Sequence, residues 1–359
     1  MSRDPSAPPT RDAGPAFDIE RDLLCTGDRR GYFTSLNLSW ERLLGWTREE
    51  LMSRPFIDFV HPSDRAPTIK EAEKLGRADY EVVNFENRYR ARGGTWRWLR
   101  WSARSDGETW FAVAFDITGE KETEQRLRQM LKGDRLLAYS QPILDQRRGN
   151  VAQEELLVRM QGTSGDNGVM HPAQFLPDAE RCGLIGVVDG WMLSQGVGMA
   201  RTGRRAEVNL SATTIGDVGR ATELEETILD AGGSARHLIL EITETAALEH
   251  LDAALEFAER LTRLGCSFAL DDFGTGFGSL THLRRLPVRY LKIDTSFIRG
   301  VAYDRDDQAM VRGIVAIARE LGVLTVAEGI EDEATLRLLR EYGVDYAQGY
   351  LIGRPAPIA

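Results

Sequence analysis

The sequence predicts a small α+β unit followed by a closed (β/α)8 barrel of the TIM type, and three features point there. The 359 residues, 42% hydrophobic and 28% charged, exceed one ordinary domain and are too apolar to stay unfolded. Six of the seven Trp residues fall before residue 118, among short alternating runs. Beyond Asp134, apolar strand-like runs alternate with amphipathic helical runs, a pattern that builds a parallel sheet and closes it when repeated this often.

The N-terminal stretch MSRDPSAPPTRDAGPAF carries charges and prolines where an export signal needs an apolar core, so residues 1–16 are expected to form a disordered tail. No later stretch approaches the roughly 20 apolar residues of a membrane span. Cys25, Cys182 and Cys266 are far apart, lack CxxC spacing and leave one over if two were to pair. These features predict a soluble protein of the reducing cytoplasm without a membrane span. A net charge of -10 and a pI near 5.2 exclude a generic grip on nucleic-acid polymer, which needs Lys and Arg to neutralise phosphates. An anionic small substrate would therefore need a local source of positive charge.

From Phe17 to Thr118 the first unit reads in order. Gly31 to Asn37 is a turn into a strand, Ser39 to Leu44 a short helix stopped by Gly45, and Thr47 to Met52 a capped helical turn. Three alternating runs follow, Glu81 to Arg92, Thr95 to Ser105 and Thr109 to Asp116, joined by the hairpin turns Gly93-Gly94 and Asp106-Gly107. Asn37, the Leu43-Leu44-Gly45-Trp46 and Glu50-Leu51 pieces, the His61-Pro62-Ser63-Asp64 corner, Tyr89-Arg90 and the closing Asp116-Ile117-Thr118 resemble the PAS family. That resemblance implies a sensor domain over residues 17–118 and names no ligand. His61 could be a haem ligand, but the local sequence favours a turn residue. Cys25 could be a flavin-reactive thiol, but it reads as a small buried apolar residue. Trp96 and Trp98 share one strand face and Trp101 falls on the other, so the tryptophans cannot all line one pocket.

Residues 119–133 contain no Pro and are rich in helix formers, with Leu127, Met130 and Leu131 at helical spacing. They read either as a signalling helix, which in PAS-linked enzymes is often a coiled coil, or as a solvated linker helix. In residues 134–359, strand-like runs end at Asn209, Glu241, Asp271, Lys292 to Asp294, Glu328 and Gln348. Leu248, Leu251, Leu255, Ala258 and Leu261 lie on one helical face, as do Met310, Ile314, Ile317 and Leu321; Gly265, Gly322 and Gly343 stop helices. His171, His237, His250 and His282 read as surface or helix-flanking residues.

A barrel of this type carries its chemistry at the carboxyl ends of its strands. The polar residues there are Glu155, Asn209, Glu241, Asp271, Asp272, Lys292, Glu328 and Gln348. One acid after a strand is an ordinary loop residue. Several on one rim repel unless cations or protons intervene. Carboxylate and amide oxygens without thiolates or clustered imidazoles suit hard ions, Mg2+ or Mn2+, and two such ions bridged by one Asp would activate a water and hold a phosphoryl group.

Eight ordered blocks resemble the EAL domain family. They are Gln141-Pro142-Ile143, Glu155 to Arg159, Val208 to Ser211, Leu240 to Glu244, Asp271 to Gly276, Leu291 to Asp294, Ala327 to Glu331 and Gln348 to Pro355. The resemblance implies hydrolysis of cyclic di-GMP to linear pGpG by a homodimer under PAS control. It implies Glu155, Asn209, Glu241 and Asp271 on one ion, with Asp271 bridging to a second held by Asp272 and Glu331 or Glu328. Lys292 and Glu328 would orient or deprotonate the attacking water. Gln141, Leu157, Arg159 and Tyr350 would line the dinucleotide groove, and the loop 272–279 would couple the ions to a dimer interface. The signature has Leu156 in place of Ala, and Glu155 rather than Glu154 is its Glu because only that register sets Arg159 at the motif's Arg. Gly276-Phe277-Gly278-Ser279 departs from the usual Gly-Tyr-Ser-Ser and could loosen the loop. The competing functions are a catalytically silent receptor for the same nucleotide and a PAS unit that serves only to dimerise. Absence of a GGDEF-like block argues against synthesis by the same chain.

Overall fold

The computed structural model describes residues 22–75, 80–132, 134–162, 168–249, 251–274 and 285–358. They divide into two compact units after Gln125. The expected N-terminal tail, His250, His282 and the loop positions 275–279 lie outside the described residues. No described helix is long and apolar enough to cross a membrane.

In the first unit, β1 (Leu23–Asp28), β2 (Phe33–Leu36), β3 (Glu81–Arg90), β4 (Trp96–Ser105) and β5 (Thr109–Asp116) form an antiparallel sheet in the order β2-β1-β5-β4-β3. Both hairpins turn on a glycine with positive φ, Gly94 at 88° and Gly107 at 98°. Thr47 caps the helix Arg48–Met52 in a reciprocal box with Glu50. Asn37 is buried: its Oδ1 accepts from Leu24 N, and its Nδ2 donates to Asp22 O, joining the strand-to-helix passage to β1.

Trp40 and Trp101 are packed with Tyr89 in the core of this unit. Trp98 instead lies against the Arg88 and Lys121 cations. A cavity of about 480 Å3 is lined by Val82, Phe85, Tyr89, Trp101 and Trp110 of the sheet and by the helix Arg65–Leu75. His61 is not among its lining residues: its Nδ1 accepts from Ser63 N, and its ring meets Trp96 edge-on. Cys25 is buried, and burial pushes its thiol well up, so it is no ready nucleophile.

The second unit contains β6 (Leu136–Asp145), β7 (Asn150–Gln161), β8 (Val169–Met170), β9 (Ala206–Asn209), β10 (Leu238–Thr243), β11 (Ser267–Phe273), β12 (Tyr290–Ile293), β13 (Leu324–Ala327), β14 (Tyr346–Gln348) and β15 (Ala356–Pro357). Strands β7, β9, β10, β11, β12, β13 and β14 are parallel in that order, and β6 pairs with both β14 and β7 to close the barrel. One strand departs from a regular βα repeat, because β6 runs antiparallel to both neighbours. The turn 146–149, with Gly149 at φ 70°, is too short for a crossover helix and makes β6 and β7 a hairpin.

Helices Ile185–Arg201, Val218–Ala231, Leu251–Arg263, Arg305–Leu321 and Glu333–Tyr342 alternate with the parallel strands and bury their apolar faces in one core. The last two end at Gly322 and Gly343 in left-handed conformation. Leu127 and Met130, from the helix Thr118–Lys132, are buried in the same core, so packing takes up the apolar positions expected of a linker helix.

Candidate active site

Alternation along each strand decides which side chain enters the barrel. On β7, Glu154 accepts from Arg204 Nε and Nη2 at 2.9 and 2.7 Å, while Glu155 lies among the interior groups. Asn209 ends β9, and its Nδ2 donates to Glu155 Oε1 at 2.9 Å. Gln348, ending β14, donates to Glu155 Oε2 at 2.6 Å and to Gln141 Oε1 at 3.2 Å. The turn after Asn209 is fixed by buried Asp189, which accepts from Ser211 N, Ser211 Oγ and Thr214 Oγ1.

Lys292 sits at the centre. Its Nζ is 2.5 Å from Glu241 Oε1, 2.7 Å from Glu328 Oε1, 3.4 Å from Glu155 Oε2 and 3.7 Å from Asp271 Oδ1. Burial alone would strip the ammonium of its proton, but the surrounding carboxylates outweigh that cost and hold Lys292 well above the usual lysine range. Burial pushes Glu241 well up and Glu328 up to about 8, because Lys292 offsets only part of their desolvation and of the repulsion from Glu155 and Asp271. Burial likewise raises Asp272, with Asp271 and Asp294 adding repulsion.

Consecutive strand residues face opposite sides, yet Asp271 and Asp272 are both only partly buried. The pairing of β11 with β12 slips between Leu270 and Phe273, and Asp272 adopts φ 55°. The regular alternation is thus interrupted at the second acid.

The residues present fit a hard divalent cation. Glu241, Asp271 and Glu328 each offer an oxygen within 4.8 Å of the others. Glu241 Oε2 and Asp271 Oδ1 are buried without a hydrogen-bond partner, and such orphaned acceptors ordinarily cost about 1–3 kcal/mol each. An all-oxygen donor set suits Mg2+ or Mn2+.

A cavity of about 310 Å3 opens over these groups, lined by Gln141, Glu155, Asp271, Lys292, Glu328, Glu331, Gln348 and Tyr350 among the residues singled out in the sequence. Asn209, Glu241, Asp272, Leu157 and Arg159 are not in its lining. Arg159 is turned aside: its Nη1 donates to Val158 O, and its guanidinium lies 5.5 Å from the Tyr139 ring centroid. Tyr350 is half exposed, with the Arg354 guanidinium 4.2 Å from its ring centroid.

Sequence reasoning missed three contributors. Arg299 also lines the cavity and is exposed. Glu207 and Gln153 are buried in the barrel interior, and burial pushes Glu207 up to about 7. The signal for the last two was available, since each stands two residues before an inward-facing site residue on its strand.

Compared with protein-family models, residues 124–355 match the EAL domain and residues 33–110 match the PAS fold. The chain is 38% identical over 249 residues to the cyclic di-GMP phosphodiesterase NbdA of Pseudomonas aeruginosa, an alignment that covers 67% of this chain and 32% of that protein. It is 39% identical over 261 residues to the bifunctional diguanylate cyclase/cyclic di-GMP phosphodiesterase MucR of the same organism, covering 70% and 38%. The chain thus spans about a third of the length of these curated relatives. Among solved structures, the PaMucR phosphodiesterase in complex with c-di-GMP superposes with a TM-score of 0.62 at 37% identity, covering 66% of this chain and 98% of that one.

Proposed function

Because the chain belongs to the EAL domain family, we propose that it hydrolyses one phosphodiester bond of cyclic di-GMP to linear pGpG at a two-ion site, under the control of its N-terminal unit. The observation that carries this reading is the gathering of Glu155, Asn209, Glu241, Asp271, Lys292 and Glu328 at one mouth of the barrel.

Glu155, Asn209, Glu241 and Asp271 would hold one divalent ion, and Asp271, Asp272 and Glu331 or Glu328 a second. Bound there, the ions would supply an acidified water and positive charge for the phosphoryl oxygens. Lys292 stays an ammonium among its carboxylates, which supports a positioning role and leaves proton uptake to Glu328. Glu328 would accept the proton of the attacking water as the new phosphorus–oxygen bond forms and the bond to the departing 3′-oxygen breaks, that oxygen taking a proton from solvent to leave as the 3′-alcohol. Gln141 and Tyr350, on the cavity wall, would orient the dinucleotide.

Purified protein incubated with cyclic di-GMP and Mg2+ or Mn2+, with products separated by chromatography, tests the reading. EDTA-sensitive formation of pGpG is expected; tight binding without turnover under every metal condition would replace the hydrolase with a receptor. Removing residues before Gly119 tests control by the first unit, since identical kinetics in the shortened and full chains would remove that part of the proposal.

A further inference from the structure

Glu155 and Glu241 are buried, whereas Asn209 beside them is exposed. Packing therefore does not fix the Asn209 side chain, whose aim depends on its hydrogen bond to Glu155 Oε1 and on where its backbone is held. On the β10 side Asn209 pairs with Glu241, and Leu210 N donates to Glu241 O at 2.8 Å. On the β7 side the pairing ends one residue earlier, with Val208 opposite Leu156. The backbone of Asn209 is thus tied into the sheet on one side only, and the path of the next residues decides how it leaves the strand.

Asp189 controls that path. It lies on the helix Ile185–Arg201, whose residues Ile185, Val188, Met192 and Leu193 are buried, and is itself 5% exposed. A carboxylate so placed is costly unless it is hydrogen-bonded. Its Oδ2 accepts from Ser211 N at 3.1 Å, from Ser211 Oγ at 2.7 Å and from Thr214 Oγ1 at 2.6 Å. Ser211 Oγ in turn accepts from Thr214 N at 3.2 Å and caps the short helix Ala212–Gly216. Three donors from one turn converge on a single acidic oxygen, and the first of them stands two residues after Asn209.

We infer that Asp189 is a positioning residue for Asn209: through Ser211 it fixes the backbone from which the Asn209 amide reaches the divalent ion. This rests on the two-ion reading of the site. Partners that orient a metal ligand from behind are worth about 10- to 100-fold in metal affinity. A buried acid that served the fold alone would, when replaced, lower the melting temperature and leave the ion affinity of the folded protein unchanged.

Mn2+ binding, read from the loss of the free-ion electron paramagnetic resonance signal on the full chain without substrate, tests this. Asp189→Ala is expected to weaken binding about 10- to 100-fold. Asp189→Asn keeps an acceptor oxygen at the same reach and should recover most of the loss. Val197→Ala, a core truncation about two turns along the same helix, should lower the melting temperature without weakening Mn2+ binding. Glu155→Ala reports on the ion site itself. If Glu155→Ala loses Mn2+ while Asp189→Ala binds it normally, or if Val197→Ala loses as much as Asp189→Ala, the positioning role is overturned and the ion site stands. If Glu155→Ala also binds normally, the two-ion reading fails first. Should Asp189→Ala not fold, Ser211→Ala, which removes only the hydroxyl link, carries the same comparison: weaker Mn2+ binding at unchanged circular dichroism supports the role, and unchanged binding overturns it.

Discussion

Lys292 Nζ lies 2.5 Å from Glu241 Oε1, with both side chains buried inside the barrel. Glu328 Oε1 accepts from the same ammonium at 2.7 Å. Buried ion pairs add little net stability, but breaking one leaves an uncompensated charge and costs about 3–5 kcal/mol. Lys292→Met should therefore melt well below the unsubstituted protein when metal-free near pH 8, and recover part of the difference at about pH 5.5, where the carboxyls take up protons. Turnover should fall by about 100-fold or more. Equal melting at the higher pH would mean that the cluster is neutralised by protons and not by Lys292.

Glu155 and Asp271 reach the same ammonium from β7 and β11, so each substitution removes one negative charge from an overloaded cluster. Glu155→Ala and Asp271→Ala are expected to abolish turnover while leaving far-ultraviolet circular dichroism unchanged and metal-free stability equal or higher. Retained Mg2+-dependent hydrolysis in either variant would remove that residue from the ion site.

Much of this site could be read from strand ends, because polar residues after apolar runs converge when a parallel sheet closes. Choosing Glu155 over Glu154 followed from the family resemblance, whose motif sets its Arg at Arg159, and the structure turns Glu154 toward Arg204. Three features had no comparable signal. Alternation carries no direction, so nothing marked β6 as antiparallel. The left-handed Asp272 is a conformation that its residue type only weakly favours. Arg159 turns to Tyr139 and Val158 O through packing among neighbouring strands, which a one-dimensional pattern does not encode. Glu207 was overlooked for another reason: depth along a strand matters as much as face.

The raised carboxyls set a pH dependence. Glu207 moves from 4.5 to about 7 and Glu328 from 4.5 to about 8, both chiefly through burial. A carboxyl whose folded value is raised contributes stability that is complete below its unfolded value and is lost as pH rises through the folded one. Metal-free protein is thus expected to melt at falling temperature between about pH 5 and pH 8.5, and saturating Mn2+ should flatten the decline by replacing protons with cations. Calorimetry across that range checks it, and a melting temperature that rises with pH in EDTA would contradict the burial of these acids.

The cavity also distinguishes its two candidate arginines. Arg299 lines it and is exposed, whereas Arg159 spends a donor on Val158 O and lies over Tyr139, outside the lining. A substrate with two phosphates gains from an exposed guanidinium equally in ground and transition states, so Arg299→Ala should raise KM several-fold with kcat nearly unchanged. Arg159→Ala removes a buried side chain that packs on Tyr139, so it should lower the melting temperature before any substrate is added. Steady-state kinetics and melting curves on both variants separate the roles. If Arg159→Ala alone raises KM, its guanidinium must swing from Tyr139 to the phosphate on binding, and Arg299 is then only a rim charge.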